Sequence, residues 1–279
     1  MNRLFGVDMT FDTLSQQGLV LLGCGKMGSA MLAGWLSNSL NPSSVYVVDP
    51  YPSEWVVAQG VHVNDALPAK PALVLIAVKP QMMQEALPML QSMAGGETVF
   101  LSVAAGISIG TYEEILGANT PILRAMPNTP AAIGQGITAL IGNAVSRAEH
   151  IDLAHALLSA IGEVVDLDSE TQMDAVTGVS GSGPAYVFYM IDALAKAGEA
   201  QGLSPDLAMQ LAKATVAGAG ALAKLSEETP EQLRINVTSP NGTTQAGLEV
   251  LMDQNAGLTR LIGGTVEAAT MRSKELLNG

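Results

Sequence analysis

Short apolar runs of strand length stand at Gly18–Gly23, Val45–Val48, Leu73–Ala77, Thr98–Ser102, Ile122–Arg124, Ile137–Ile141 and Val164–Leu167. Between several of them apolar positions recur at helical spacing, over Met27–Asn38, Met82–Met93 and Ala148–Ile161. Strand and helix alternating in this way predict a mostly parallel sheet covered on both faces. Past residue 170 the strand pattern stops. Tyr186–Gln201 reads as a helix ended by Gly202, and Ser204 with Pro205 offers an N-cap and first-turn proline for an Ala-rich helix to Leu225. Thr229 and Pro230 repeat that start signal, and helical patterns follow at Thr244–Asp253 and Leu258–Leu277. The expected organisation is α/β: a leader at 1–17, partly disordered; a doubly wound sheet domain at 18–168; and an all-helical domain at 169–279.

Composition sharpens this picture. Apolar residues make up 48% of the 279-residue chain but aromatics only 4%, so Ala, Val, Leu and Met have to fill the core. The helical half is rich in Ala and Gly, as in Ala214–Ala223, and offers little bulk for a core of its own; it is expected to serve as a subunit interface. A net charge of −13 argues against nucleic acid or an anionic membrane as a partner. No apolar run approaches the roughly 20 residues of a spanning helix, and residues 1–17 lack the continuous apolar region of a signal peptide. The single cysteine, Cys24, cannot form an intrachain disulfide and fits a reducing, cytoplasmic compartment.

The candidate chemistry begins at the first strand. It runs into Gly23-Cys24-Gly25-Lys26-Met27-Gly28 and a small-residue helix start. This is the dinucleotide-binding fingerprint: Gly23 permits the tight turn, Gly25 lets a pyrophosphate approach the backbone, and Gly28 allows close helix–strand packing. The phosphates would meet free N–H groups at the helix N-terminus. The second strand ends in Asp49, at about the distance where a carboxylate accepts ribose hydroxyls. Residues 18–168 are thus expected to be a Rossmann-type dinucleotide-binding domain.

Five further clusters punctuate the chain: Ala77-Val78-Lys79-Pro80, Ser102-Val103-Ala104-Ala105-Gly106, Met126-Pro127-Asn128-Thr129-Pro130, Val179 to Tyr186 (VSGSGPAY), and Ser239-Pro240-Asn241-Gly242-Thr243-Thr244. Singly each reads as a turn. Together, in this order, they resemble pyrroline-5-carboxylate reductase, over about Gly18 to Leu276. The resemblance implies reduction of 1-pyrroline-5-carboxylate to L-proline by NADPH or NADH, with no metal, in intertwined dimers often assembled into rings. It implies cofactor contacts at Gly23, Gly25, Lys26, Met27, Gly28, Asn64, Ala77, Val78, Lys79, Pro80, Ala105 and Asn236, to which the fingerprint spacing adds Asp49. It places Glu170, Glu227, Val237, Thr243 and Thr244 in the pocket of the cyclic imino acid substrate, and the chemistry of the helix start adds Gly242 there and makes Thr244 the catalytic hydrogen-bond donor.

Those residue types suit the chemistry. Gly242-Thr243-Thr244 opens a helix whose free N–H groups can receive the substrate carboxylate without an Arg. Thr244 can donate to the ring nitrogen, and a carboxylate such as Glu227 favours the imine as its cation, the better hydride acceptor. The three histidines, His62, His150 and His155, lie outside the motifs, and His150 and His155 are expected in solvent on a surface helix. Two departures from the family matter. Asp49-Pro50-Tyr51-Pro52 follows the second strand with no Arg between Arg3 and Arg124, which favours NADH where the family often prefers NADPH. Asn241 replaces a usual Gly, and Asn tolerates a left-handed backbone. A hydroxyacid dehydrogenase is disfavoured, because no helical Lys is followed by Asn at the expected place. An imine reductase for a six-membered ring and a catalytically silent nucleotide-binding regulator remain as alternatives.

Overall fold

The structure, a computed structural model, describes residues 12–277. Eight strands form one sheet: β1 (Leu19–Leu22), β2 (Val45–Val48), β3 (His62–Val63), β4 (Leu73–Ile76), β5 (Val99–Ser102), β6 (Ile122–Met126), β7 (Gly136–Gly142) and β8 (Gly162–Asp166). Their order is β3-β2-β1-β4-β5-β6-β7-β8. All neighbours run parallel except β6 and β7. That exception follows from length. Only a 3-10 turn, Thr129–Ile133, joins β6 to β7, and a parallel return needs a crossover of a dozen residues or more.

The helices in this part of the chain are α1 (residues 12–17), α2 (Lys26–Ser37), α3 (Glu54–Val57), α4 (Met83–Ala86), α5 (Ile109–Leu116), α6 (Ala148–Ser159) and α7 (Met173–Val176). β1, β4 and β5 are buried at every position, as strands covered on both faces are. Alternate residues feed two cores. Leu19, Leu21, Leu73 and Leu75 pack with Met31 and Trp35 of α2 and with Leu157 of α6. Val20, Leu22, Val74 and Phe100 pack with Met83, Leu87 and Tyr112 on the other face. Trp35 Nε1 donates to the Leu157 carbonyl at 2.9 Å, tying α2 to α6. Leu14 on α1 is fully buried and joins the core, so the expected leader is helical over residues 12–17 and anchored through that one side chain, its other positions being exposed; residues 1–11 lie outside the described residues.

Where the sequence suggested one helix over Met82–Met93, the chain makes a 3-10 turn at Pro80–Met82, α4, and a 3-10 stretch at Leu87–Met93. Pro88 is the cause, because it has no N–H to donate within a helix. No expected element covers α5, which Ser108 caps by accepting from Thr111 N at 3.1 Å. The cluster expected as a turn around Val179–Gly183 is a π-helical stretch, Thr177–Gly181, leading into the next helix.

Two compact units divide the chain, with the break between Gly181 and Ser182 and a return to the first unit at Thr270. The sequence reading placed the junction earlier, at 168/169. The second unit contains α8 (Gly183–Ala200), α9 (Pro205–Leu225), α10 (Pro230–Asn236), α11 (Thr243–Leu251) and α12 (Leu258–Leu277) as far as Ala269. Its buried apolar cluster consists of Ala195, Ala208 and Ala212, flanked by Ile191 and Met209. Its large apolar side chains, Phe188, Tyr189, Leu211, Leu222 and Leu225 among them, stand exposed.

Candidate cofactor and substrate site

The C-terminal ends of five parallel strands, β1 to β5, meet at one edge of the sheet. Gly23 N donates to Val48 O, Ala77 N to Leu22 O, Val103 N to Ile76 O, and Asn64 N to Val47 O. Ligands of doubly wound sheets bind outside this edge, where the strand order reverses. Here the reversal lies between β1 and β4.

At the end of β1, Gly23 has φ +86°, which side-chain-bearing residues rarely adopt. Gly25 is the N-cap of α2, and a Cβ added there would meet nothing within 4 Å. The backbone therefore faces open space at a helix N-terminus. At Gly28 a Cβ would lie 2.5 Å from the Gly23 carbonyl oxygen, so the crossing of helix and turn requires glycine. Lys26 and Met27 occupy the first turn of α2. Cys24 is buried and its thiol is pushed up by that burial, as befits a packing residue.

Asp49 shapes the turn from β2. Its Oδ2 accepts from Cys24 N at 2.7 Å and its Oδ1 from Tyr51 N at 2.8 Å. Asn64, at φ +55° beyond β3, accepts from Asp49 N at 3.0 Å and donates to Asp49 O at 2.8 Å. Asp49 and Asn64, far apart in sequence, thus form one local assembly beside the glycine turn. Beyond β4, Ala77 and Val78 are half-buried, Lys79 is exposed, and Pro80 opens the 3-10 turn. A Gly23 Cβ would meet Val78 Cγ1 at 2.8 Å, so these two loops lie in contact. Beyond β5, Ala105 belongs to a turn closed by Gly106 at φ +70°.

Beneath that turn lies a polar group that the sequence reading missed. Ser102 Oγ accepts from Ala104 N at 3.2 Å and sits 2.5 Å from the Tyr112 hydroxyl. Tyr112 is fully buried and its hydroxyl is pushed up to about 12, chiefly by desolvation. Arg124, the strand partner of Ser102 and only 1% exposed, donates through Nη1 to Glu170 Oε1 at 2.7 Å. The same oxygen accepts from Ile109 N, at the start of α5. This oxygen of Glu170, expected in the substrate pocket, is thus engaged by a buried guanidinium and a helix N-terminus. In sequence Arg124 and Tyr112 read as strand and loop positions; only the fold brings them together.

The second unit holds the remaining candidates. Asn236 ends α10 and donates to both carboxylate oxygens of Glu228 at 3.1 Å. Glu227 is exposed immediately before it, and Val237 follows Asn236, also exposed. Asn241 has φ +58°, the left-handed conformation expected of it, and its N–H donates to Gln245 at 2.7 Å. Gly242 is the N-cap of α11, with Thr243 and Thr244 in its first turn and exposed. One histidine corrects the reading: His150 is only 4% exposed, because its Nδ1 caps α6 by accepting from Arg147 N at 3.1 Å.

An open glycine cradle at a helix N-terminus, with a carboxylate at the end of the next strand, fits a dinucleotide, and together with the sheet topology it defines a dinucleotide-dependent oxidoreductase. Residues 18–106 match the model described as NADP oxidoreductase coenzyme F420-dependent, and residues 170–276 match that described as Pyrroline-5-carboxylate reductase dimerisation. The chain is 37% identical to the pyrroline-5-carboxylate reductase of Pseudomonas aeruginosa, over 94% of this chain and 98% of that one. A solved reductase of the same name from Coxiella burnetii superposes with a TM-score of 0.87 at 32% identity, covering 93% of this chain and 98% of that one. The Plasmodium falciparum pyrroline carboxylate reductase with NADP bound gives a TM-score of 0.82 at 28% identity, with the same coverage. The chain belongs to the pyrroline-5-carboxylate reductase family, and its cofactor is a nicotinamide dinucleotide.

Proposed function

We propose that this protein reduces 1-pyrroline-5-carboxylate to L-proline, the last step of proline biosynthesis, in the cytoplasm. The observation that carries the reading is membership of the family over nearly the whole chain, with the glycine cradle of Gly23–Gly28 intact. The nicotinamide, when bound, supplies the hydride. The chain's own residues orient the reactants. Gly23, Gly25, Lys26, Met27 and Gly28 receive the pyrophosphate, and Ala77, Val78, Lys79, Pro80 and Ala105 line its path along the sheet edge. Asn236 reaches toward the same cofactor. The N–H groups and hydroxyl of Gly242, Thr243 and Thr244 hold the substrate carboxylate, Thr244 donates to the ring nitrogen, and Glu227 with Val237 completes the pocket. The family resemblance assigns Glu170 to the same pocket.

NADH serves at least as well as NADPH in this reading. Asp49 can still accept from ribose hydroxyls with its remaining lone pairs, whereas a 2′-phosphate would bring like charges together. The exposed apolar faces of the second unit pair with a second copy, and the pairs assemble further into a ring. The test is cofactor oxidation with pyrroline-5-carboxylate, piperideine-6-carboxylate and a 2-keto acid. Turnover of the five-membered imine is expected to dominate. Preference for the six-membered ring would move the assignment to that substrate, and turnover of the keto acid alone would overturn it.

A further inference from the structure

The order of the sheet sets the course of the cofactor. The adenosine half lies over β2, where Asp49 stands, and the pyrophosphate over the β1–α2 turn. The nicotinamide half then falls over β4 and β5. The turn after β5 is therefore a wall of the nicotinamide position. Ser102 Oγ holds that turn from below by accepting from Ala104 N. Tyr112 holds Ser102 at 2.5 Å, and Tyr112 itself hangs from α5. The N-terminus of α5 is anchored in turn by Glu170 Oε1 on Ile109 N, and Arg124 fixes that carboxylate at 2.7 Å.

This arrangement is a poor device for stability alone. Arg124 is 1% exposed, meets a single carboxylate oxygen, and leaves Nε and Nη2 without partners among the described residues. Replacing buried ion pairs by apolar side chains is often neutral or stabilising, and orphaned buried donors are costly. Costly polar groups retained beneath a ligand-facing turn point to a positioning role. We propose that Ser102, Tyr112, Arg124 and the half-buried Glu170 form a positioning network that sets the shape of the 104–106 turn for the nicotinamide. Through Glu170, the network also ties that turn to the segment leading into the helical half. The proposal rests on the reductase reading for its cofactor, and none of the four residues touches the reacting atoms.

The experiment compares two probes, NADH and ADP-ribose, the latter lacking only the nicotinamide. Affinities are measured by fluorescence and calorimetry for the wild type, Tyr112→Phe and the double variant Arg124→Met/Glu170→Gln. The tyrosine change removes one hydroxyl without changing shape, and the double variant removes both charges together, so neither leaves a buried charge unpaired. Each is expected to weaken NADH about three- to tenfold, the worth of one lost hydrogen bond, while ADP-ribose changes by less than about twofold. Equal losses for both probes, or no loss for either in a cooperatively melting variant, would overturn the proposal. If the double variant does not fold, Tyr112→Phe decides alone. A wild type that binds NADH with full affinity but leaves the imine unreduced overturns the reductase reading instead, because these affinities are read without turnover.

Discussion

Single residues at the sheet edge have separable jobs. Asp49 holds the glycine turn through Cys24 N, and in the proposed function it is assigned the ribose as well. Asp49→Ser is expected to lower kcat/KM with NADH more than with NADPH, measured for both cofactors. A strong NADPH preference in the wild type, unmoved by the substitution, would show that the carboxylate serves the turn only. Gly28 works by what it lacks. In Gly28→Ala the new methyl meets the Gly23 carbonyl oxygen at 2.5 Å, and neither backbone can yield. Overpacking of this kind costs about 1–3 kcal/mol, so NADH affinity is expected to fall roughly tenfold or more in a fluorescence titration. Thr244 sits on the other unit, at the start of α11. If Thr244 donates to the substrate as proposed, Thr244→Ala removes a hydrogen bond to a polarised group, worth about 1.5–3 kcal/mol, and should lower kcat/KM roughly ten- to hundredfold while dinucleotide affinity holds. Wild-type kcat/KM in that variant would reduce Thr244 to a helix-start residue.

At the scale of an element, α6 carries a titratable cap. His150 accepts from Arg147 N through Nδ1, so the ring is neutral in the folded protein. Burial, then the charge of Arg147, lowers its pKa below the ordinary 6.5, with Glu149 and Glu97 opposing weakly. In the unfolded chain the ring takes up a proton near pH 6.5, while in the folded protein it does so only at lower pH. Between those two values the unfolded state binds more protons, so stability is full above about pH 6.5 and falls as the pH drops through this window. Thermal melting of the wild type against His150→Asn should show the difference as a shallower loss of Tm below pH 6.5 in the variant. Parallel curves would mean that the acid sensitivity lies elsewhere.

For the whole molecule, the second unit sets the terms. Its interior is made of alanines, whereas Phe188 is 62% and Tyr189 73% exposed. Apolar surface of this kind marks an association face. Phe188→Asp is expected to shift the protein from oligomer to monomer in sedimentation, and to reduce turnover with it. A wild type that sediments as a monomer at micromolar concentration would defeat the interface reading.

Much of this was written in local sequence. Apolar runs located every strand but β3, whose two residues are too short to form a pattern. The start of α9 at Pro205 and the span of α12 follow from local signals and periodicity. Gly23 and Gly28 were recognisable because a tight turn and a close crossing admit no side chain, and Gly25 by its place in the fingerprint at the start of α2. Asn241 met its expected left-handed backbone because Asn tolerates that conformation better than most side-chain-bearing residues. Tertiary structure decided what depends on packing between distant segments. It put His150 in the interior, gave Asp49 its place against Cys24 N, and assembled Ser102, Tyr112, Arg124 and Glu170 beneath one turn. An ion pair between a buried guanidinium and a half-buried carboxylate so far apart in sequence leaves no periodic trace, because its energy comes from exclusion of water around Arg124 and from shape, and both exist only once the strands have paired.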